Sequence, residues 1–385
     1  MAESFPGKQT LPSPRNGRNG SPVSIEYAWA AGGPSINARL VAINAAESQR
    51  YIDDTPARNR YWRHHPTRIA CLKCMDGRVH LPVMTGTPTG IVKPFRAIGG
   101  RFRPSWPSFT KRLGKWVDVA EKQFGHRCVI LITYHFSAAG ERDTERQHLG
   151  CTGWNYDVVA ARTHAEWLRE KLAFVYGEQA DVIVTGVETD GDSLMLHGTE
   201  RIVSGSECIG ADDDAIALAI RRAFPTLDRQ TIADLVPLLA GNATHVAALQ
   251  RHPRRLDDLG HQERIIAVGQ DFAWLARSNL ALIINDVDPN LGEAIVTGAG
   301  IIERNLDAAP DGDDAVLFAN VPFGSKGTDE RQAMVRSLDL LEMALDAIRI
   351  RRPDLVASGR LHALAGITFE ESKELTVLHS SIPIR

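Results

Sequence analysis

Two segments of this chain carry residue types and spacings that could hold a metal ion. One is Cys74-Met75-Asp76-Gly77-Arg78; the other begins at His135 and ends with His148-Leu149-Gly150-Cys151. Two thiolates and one imidazole fill three positions of a tetrahedral zinc site and leave the fourth for water, the pattern of a catalytic rather than a structural centre. Zinc lowers the pKa of its water from about 16 towards about 7, although thiolate ligands weaken that effect by donating charge. A helper is then useful. Asp76 can accept a hydrogen bond from that water, and Arg78 can hold Asp76 by a charge-assisted pair and keep it off the metal. The third ligand is open between two histidines: His135 sits at a strand end, whereas His148 is spaced for pairing with Cys151. His80 is a group behind the ligands or a proton carrier.

The positioning elements follow from the apolar runs. Arg68-Ile69-Ala70-Cys71-Leu72 predicts a strand that ends just before Cys74, and Cys128 through Tyr134 predicts a second that delivers His135. If the two are parallel neighbours, both ends open onto one crevice, where open α/β sheets place their sites. Residues 35–63 predict one or two helices. Asp157 caps a further helix with an apolar stripe of Ala161, Ala165, Leu168, Leu172 and Val175, and 181–187 a strand, so the order is that of a parallel α/β sheet. Asp212-Asp213-Asp214 suits a helix N-terminus better than a metal site. Residues 226–262 predict polar helix wrapping the outside, and 328–352 an amphipathic helix. In the second half, Leu280 to Asn290 has the shape of the Cys74 loop, with Asp286 in the place of the thiolate, and Ala315 to Asn320 matches the strand leading to His135. This predicts a degenerate repeat that supplies fold but no zinc.

The Cys74-Met75-Asp76-Gly77-Arg78 loop, the later His and Cys, and Phe95-Arg96-Ala97-Ile98-Gly99-Gly100 together resemble the β-type carbonic anhydrases. That family has its His and Cys directly after the strand, whereas here residues 136–147 intervene. The long loop, with Gly186-Val187-Glu188-Thr189-Asp190 and the residues through His197, is similar to the carboxysome shell carbonic anhydrases, over roughly residues 60–350. The resemblance implies reversible hydration of CO2 to bicarbonate and a proton through zinc-bound hydroxide, with one Zn2+ per chain. Its ligands are Cys74, His135 and Cys151, with His148 as the alternative third; Asp76 and Arg78 are the catalytic pair, and Gly99 and Gly100 let backbone approach the substrate pocket.

The same resemblance divides the chain into a disordered tail (1–24), an N-terminal helical arm (25–63), a zinc-binding catalytic domain (64–205), a helical connection (206–265) and a degenerate β-carbonic-anhydrase-like domain (266–385). The fold class is α/β, a parallel sheet flanked by helices with the second repeat completing a pseudo-dimer. The arm is one that in the β family crosses onto a partner, and a homo-oligomer is expected. The tail carries Pro6, Pro12, Pro14 and Pro22 with three basic residues and one acid, too few apolar groups to offset ordering; in the carboxysomal branch such a segment contacts the shell or Rubisco. Rival readings are hydrolysis of CS2 or COS on the same scaffold, and a catalytically silent zinc-containing scaffold protein.

With 385 residues, 43% of them hydrophobic, the chain can bury a large core. A formal charge of −3 gives no electrostatic case for nucleic acid, and no run of about 18 apolar residues predicts a membrane span. Five cysteines, an odd number, fit a reducing compartment better than a disulfide framework, so a cytoplasmic setting is expected; the resemblance adds the carboxysome as an alternative.

Overall fold

A computed structural model describes residues 35–275, 277–309 and 313–379; the tail assigned to 1–24 lies outside the described residues. Among the described residues, eleven strands form two sheets. The first contains β1 (Ile69–Cys74), β2 (Val92–Ala97), β3 (Cys128–Phe136), β4 (Ala180–Glu188), β5 (Ser193–His197) and β6 (Ile202–Ser204), in the order β2-β1-β3-β4-β5-β6. The second contains β7 (Ile265–Gly269), β8 (Ala281–Ile284), β9 (Ala315–Phe323), β10 (Leu361–Phe369) and β11 (Leu375–His379), in the order β11-β10-β9-β7-β8. In each, four parallel strands are followed by an antiparallel one. The fold is therefore mixed α/β, with two parallel-dominated sheets flanked by helices.

The shared order moves one expected correspondence. β7 holds in the second sheet the place that β1 holds in the first, and β8 the place of β2. Asn285 and Asp286, after β8, therefore stand where Ile98 and Gly99 follow β2, and it is Gly269-Gln270-Asp271 that stands where the Cys74 loop follows β1. The sequence misled because β8 and its acidic loop resemble the Cys74 loop in pattern, whereas β7 is five residues long and ends at a glycine with φ of 119°.

Parallel strands buried on both faces read as apolar runs, and β1 and β3 are buried almost throughout. Asp157 caps the helix Val158–Tyr176 through the Ala160 N–H, and Asp212 caps Asp213–Ala223 through the Ala215 N–H. Of the expected stripe on the first of these, Ala161, Ala165, Leu168 and Leu172 are buried; Val175 is exposed, and Tyr176 packs inward instead. The segment expected to wrap the outside does not. Within it, the helix Arg229–Arg251 buries Ile232, Leu235, Leu238, Leu239 and Ala243 against β1, β4 and β5 residues. It is the one described helix long and apolar enough to cross a membrane, and the core it joins accounts for that composition.

The arm packs on its own chain. Helix Ile36–Asp53 sets Ile36, Leu40 and Ile43 against Ile265, Ala267, Val316 and Phe318 of the second sheet, and Asn44 bonds the backbone of Lys373 and Leu375.

Main-chain contacts join the two sheets beneath the first candidate loop. Ile283 N–H donates to Met75 O at 3.0 Å, Asn279 N–H donates to Gly77 O at 2.9 Å, and the Glu263 carboxylate accepts from Gly77 N–H at 3.0 Å. Asn285 exchanges bonds with both backbone groups of Arg96, and the Asp288 carboxylate accepts from Ile98 N–H. A Cβ on Gly77 would lie 2.7 Å from Ala281 O and 2.9 Å from a Glu263 oxygen. Gly77→Ala is therefore expected to lower stability by about 1–3 kcal/mol, measured as a drop in the urea midpoint; an unchanged midpoint would mean that this clasp yields without cost.

Candidate metal centre

β1 and β3 are parallel neighbours, with Leu72 opposite Ile132, so the ends that carry Cys74 and His135 open on the same side. The loop between His135 and Cys151 is not loose. It holds a short helix, Ala138–Arg142, capped by Ser137, and a 3-10 turn, Thr144–Leu149, capped by Asp143. The carboxylates of Glu188 and Asp190 accept from Ala138 and Ala139 N–H, pinning the loop to the end of β4. Cys151 is thereby returned to Cys74, Sγ to Sγ 4.0 Å.

Ligand-type atoms of Cys74, His135 and Cys151 lie within 4.8 Å of one another, and all three residues are buried. Zn–S bonds of about 2.3 Å at the tetrahedral angle place two sulfurs about 3.8 Å apart, close to the separation found. Neither ring nitrogen of His135 has a hydrogen-bond partner among the described residues. Buried imidazole nitrogens without a partner are costly unless something binds them, so the donor set suits zinc. His148 stands outside this group: it is on the exposed 3-10 turn, its Nδ1 3.0 Å from Glu145 O.

The contact between the two thiols drives their pKa values apart. Their mutual hydrogen bond holds Cys74 well below the ordinary thiol range, aided by His135, and the same contact with burial pushes Cys151 well above it.

Asp76 and Arg78 form a buried forked pair. Arg78 Nη2 donates to Asp76 Oδ2 at 2.7 Å, and Nε reaches both oxygens at 3.1 and 3.2 Å. Burial opposes the Asp76 charge, but the Arg78 guanidinium beside it holds the carboxyl well below its usual range. Burial likewise opposes the Arg78 cation, and Asp76 outweighs it and raises its pKa. Asp76 Oδ2 lies 3.6 Å from His135 Nε2, so the ionised carboxylate borders the three-residue cluster with its direction set by the guanidinium.

Sequence reasoning missed His261 and Glu263. His261 Nε2 is 3.2 Å from Arg78 Nη2 and 3.7 Å from Asp76 Oδ2, and Nδ1 is 3.0 Å from a Glu263 oxygen. Arg78 can only donate and Glu263 only accept, so the ring carries its proton on Nδ1 and turns the Nε2 lone pair to the site. His-x-Glu ahead of an apolar run was the available signal, but nothing in the chain's spacing ties it to Asp76.

A cavity of about 10 Å3, roughly one water's worth of centres, adjoins the cluster, lined by Met75, Ile98, Gly153, His261, Leu282 and Ile301 beside Cys74 and Asp76. Gly99 and Gly100 do not line it. Both have positive φ, 60° and 65°, and they support the wall from behind: Trp154 Nε1 donates to Gly99 O at 2.7 Å, and Gly153 crosses Gly99 so closely that a Cβ there would lie 2.5 Å from its nitrogen. His80 faces a different cavity, described below.

No family model matches the chain. Among curated proteins it is similar to a carboxysome shell carbonic anhydrase of Parasynechococcus marenigrum (strain WH8102), 29% identical over 178 residues, 40% of this chain and 30% of that one. Two carboxysome shell carbonic anhydrases of Prochlorococcus marinus also match. That of strain MIT 9313 is 23% identical over 44% of this chain and 39% of its own length; that of strain MED4 is 22% identical over 59% and 51%. The chain thus spans about a third to a half of the length of these relatives. The motifs and the relatives agree: by sequence, this chain resembles the carboxysome shell carbonic anhydrases.

Proposed function

We propose that the chain is a zinc-dependent carbonic anhydrase that interconverts CO2 and water with bicarbonate and a proton. The observation that carries this reading is the buried Cys74, His135 and Cys151 cluster bordered by a carboxylate that Arg78 keeps ionised and aimed. These three residues would hold the metal; zinc, when bound, acidifies a water and so supplies a nucleophile at neutral pH. Asp76 accepts a hydrogen bond from the attacking water and orients it, and Arg78 occupies both carboxylate oxygens so that Asp76 does not become a fourth ligand. Ile98, Leu282 and Ile301 give CO2 an apolar wall, and the small cavity favours a small linear substrate over larger carbonyl compounds. As the water oxygen bonds to carbon, one proton must leave; the His261 imidazole is the next group beyond Asp76 on the way out, and Glu263 orients it.

All five cysteines precede residue 209, and the second sheet repeats the strand order of the first without them. We read the chain as a pseudo-dimer with one zinc, its second half contributing contacts to the single site. Residence in a carboxysome, with attachment through residues 1–24, belongs to the same reading.

Zinc content by mass spectrometry should be about one per chain and should fall in Cys74→Ser, His135→Ala and Cys151→Ser, while His148→Ala keeps it. Oxygen-18 exchange between CO2 and water should be present in the zinc-loaded protein and fall by about 10²-fold or more in Asp76→Asn; zinc retained with no exchange in the wild type would move the reading to a scaffold or to a COS or CS2 hydrolase.

The pair also carries a pH signature. Asp76→Asn leaves Arg78 buried without a counter-charge, at a cost of about 3–5 kcal/mol. Because the folded pKa of Asp76 is depressed, its stabilisation is complete above the unfolded value of about 3.9 and is lost as pH falls through the folded value. Urea melts should therefore show a constant gap between wild type and Asp76→Asn from pH 7 to about 5 that narrows below about 4.

A further inference from the structure

A second cavity, of about 190 Å3, lies between the sheets and shares no lining residue with the metal-site cavity. Side chains alternate along a strand, so Lys73 points to the opposite face of β1 from Cys74 and enters this cavity. Arg96 is its register partner on β2, and His80 lines the same wall. The three residues are 1%, 5% and 6% exposed. Lys73 Nζ, Arg96 Nη1 and His80 Nδ1 have no hydrogen-bond partner among the described residues.

Burial, with the Arg96 charge beside it, pushes Lys73 well below its ordinary pKa, and burial lowers Arg96 to about 10, so the wall disfavours positive charge on these two register partners unless an anion joins them. The carboxylate among the lining residues, Asp271, is already bonded to Lys373 at 2.8 Å, and Arg112, also on the wall, is committed to Asp286. No carboxylate of the wall is therefore left to pair with Lys73 or Arg96.

We propose that this cavity binds a phosphate-bearing small molecule, with the phosphoryl oxygens against Lys73, Arg96 and His80. A planar guanidinium beside a point-charge ammonium is a donor set suited to a phosphoryl group, and a dianion offsets the paired cations better than a monocarboxylate or bicarbonate. Phe272 and Ile283, on the same wall, provide apolar surface for an organic group beside the anion. The site does not depend on the hydratase reading, because its occupancy is measured by binding alone.

The test is isothermal titration calorimetry on the zinc-loaded full chain at constant ionic strength, with inorganic phosphate, pyrophosphate and glycerol 2-phosphate as probes and bicarbonate as comparison. At least one phosphate compound should bind one per chain, and its affinity should fall by about tenfold or more in Lys73→Met and Arg96→Gln variants that keep their zinc and their circular dichroism. Tighter binding of glycerol 2-phosphate than of phosphate would identify an ester, and the reverse a free anion. If Lys73→Met does not fold, Arg96→Gln and His80→Gln carry the comparison. No heat with any phosphate compound, tighter binding of bicarbonate than of all of them, or affinity unchanged in the folded variants would overturn the proposal.

Discussion

The centre depends on one buried guanidinium. Arg78 neutralises Asp76 in the loop after β1, donates to the carbonyls of Leu149 and Gly150 just before Cys151, and donates to Leu259 O ahead of β7. Three segments far apart in the chain therefore meet on one planar group with fixed donor directions. Remove it and each segment keeps a buried acceptor without a donor, which costs far more than the pair itself contributes. The separation of the two thiols follows from this junction, since Arg78 fixes the carbonyls on one side of Cys151 and its own loop carries Cys74.

β1 then acts as a partition. Its last two residues, Lys73 and Cys74, point to opposite faces, one towards cations and the other towards thiols and a carboxylate. Opposite charges are thus held one strand thickness apart, close enough for Asp76 and Cys74 to favour the cationic forms of Lys73 and Arg96 across the backbone. The crossing of Gly99 and Gly153 closes the thiol side, because only a residue without a Cβ permits two backbones to approach that closely there.

Much of this was legible beforehand because strand ends and caps are local signals. The apolar runs before Cys74 and His135, the caps at Asp157 and Asp212, and the parallel order all follow from a few neighbouring residues. The long loop to Cys151 was visible as an insertion, and the way it is held, by Glu188 and Asp190, was not. His261 and Glu263 were not legible, since their role exists only through packing of the second sheet on the first. The helix Arg229–Arg251 was misjudged because its charges, concentrated at its ends, masked a buried middle. The two halves were paired strand for strand incorrectly because an acidic loop after an apolar run occurs twice, and only the hydrogen-bond order tells which copy is equivalent.

The clasp beneath the Cys74 loop is largely main chain to main chain: Ile283 to Met75 and Asn279 to Gly77. Bonds between peptide groups are indifferent to which side chain each residue bears, provided the strand keeps its place. β8 and the residues before it can thus change their side chains and still hold the Cys74 loop. What this contact constrains there is the path of the backbone, not the identity of the residues along it.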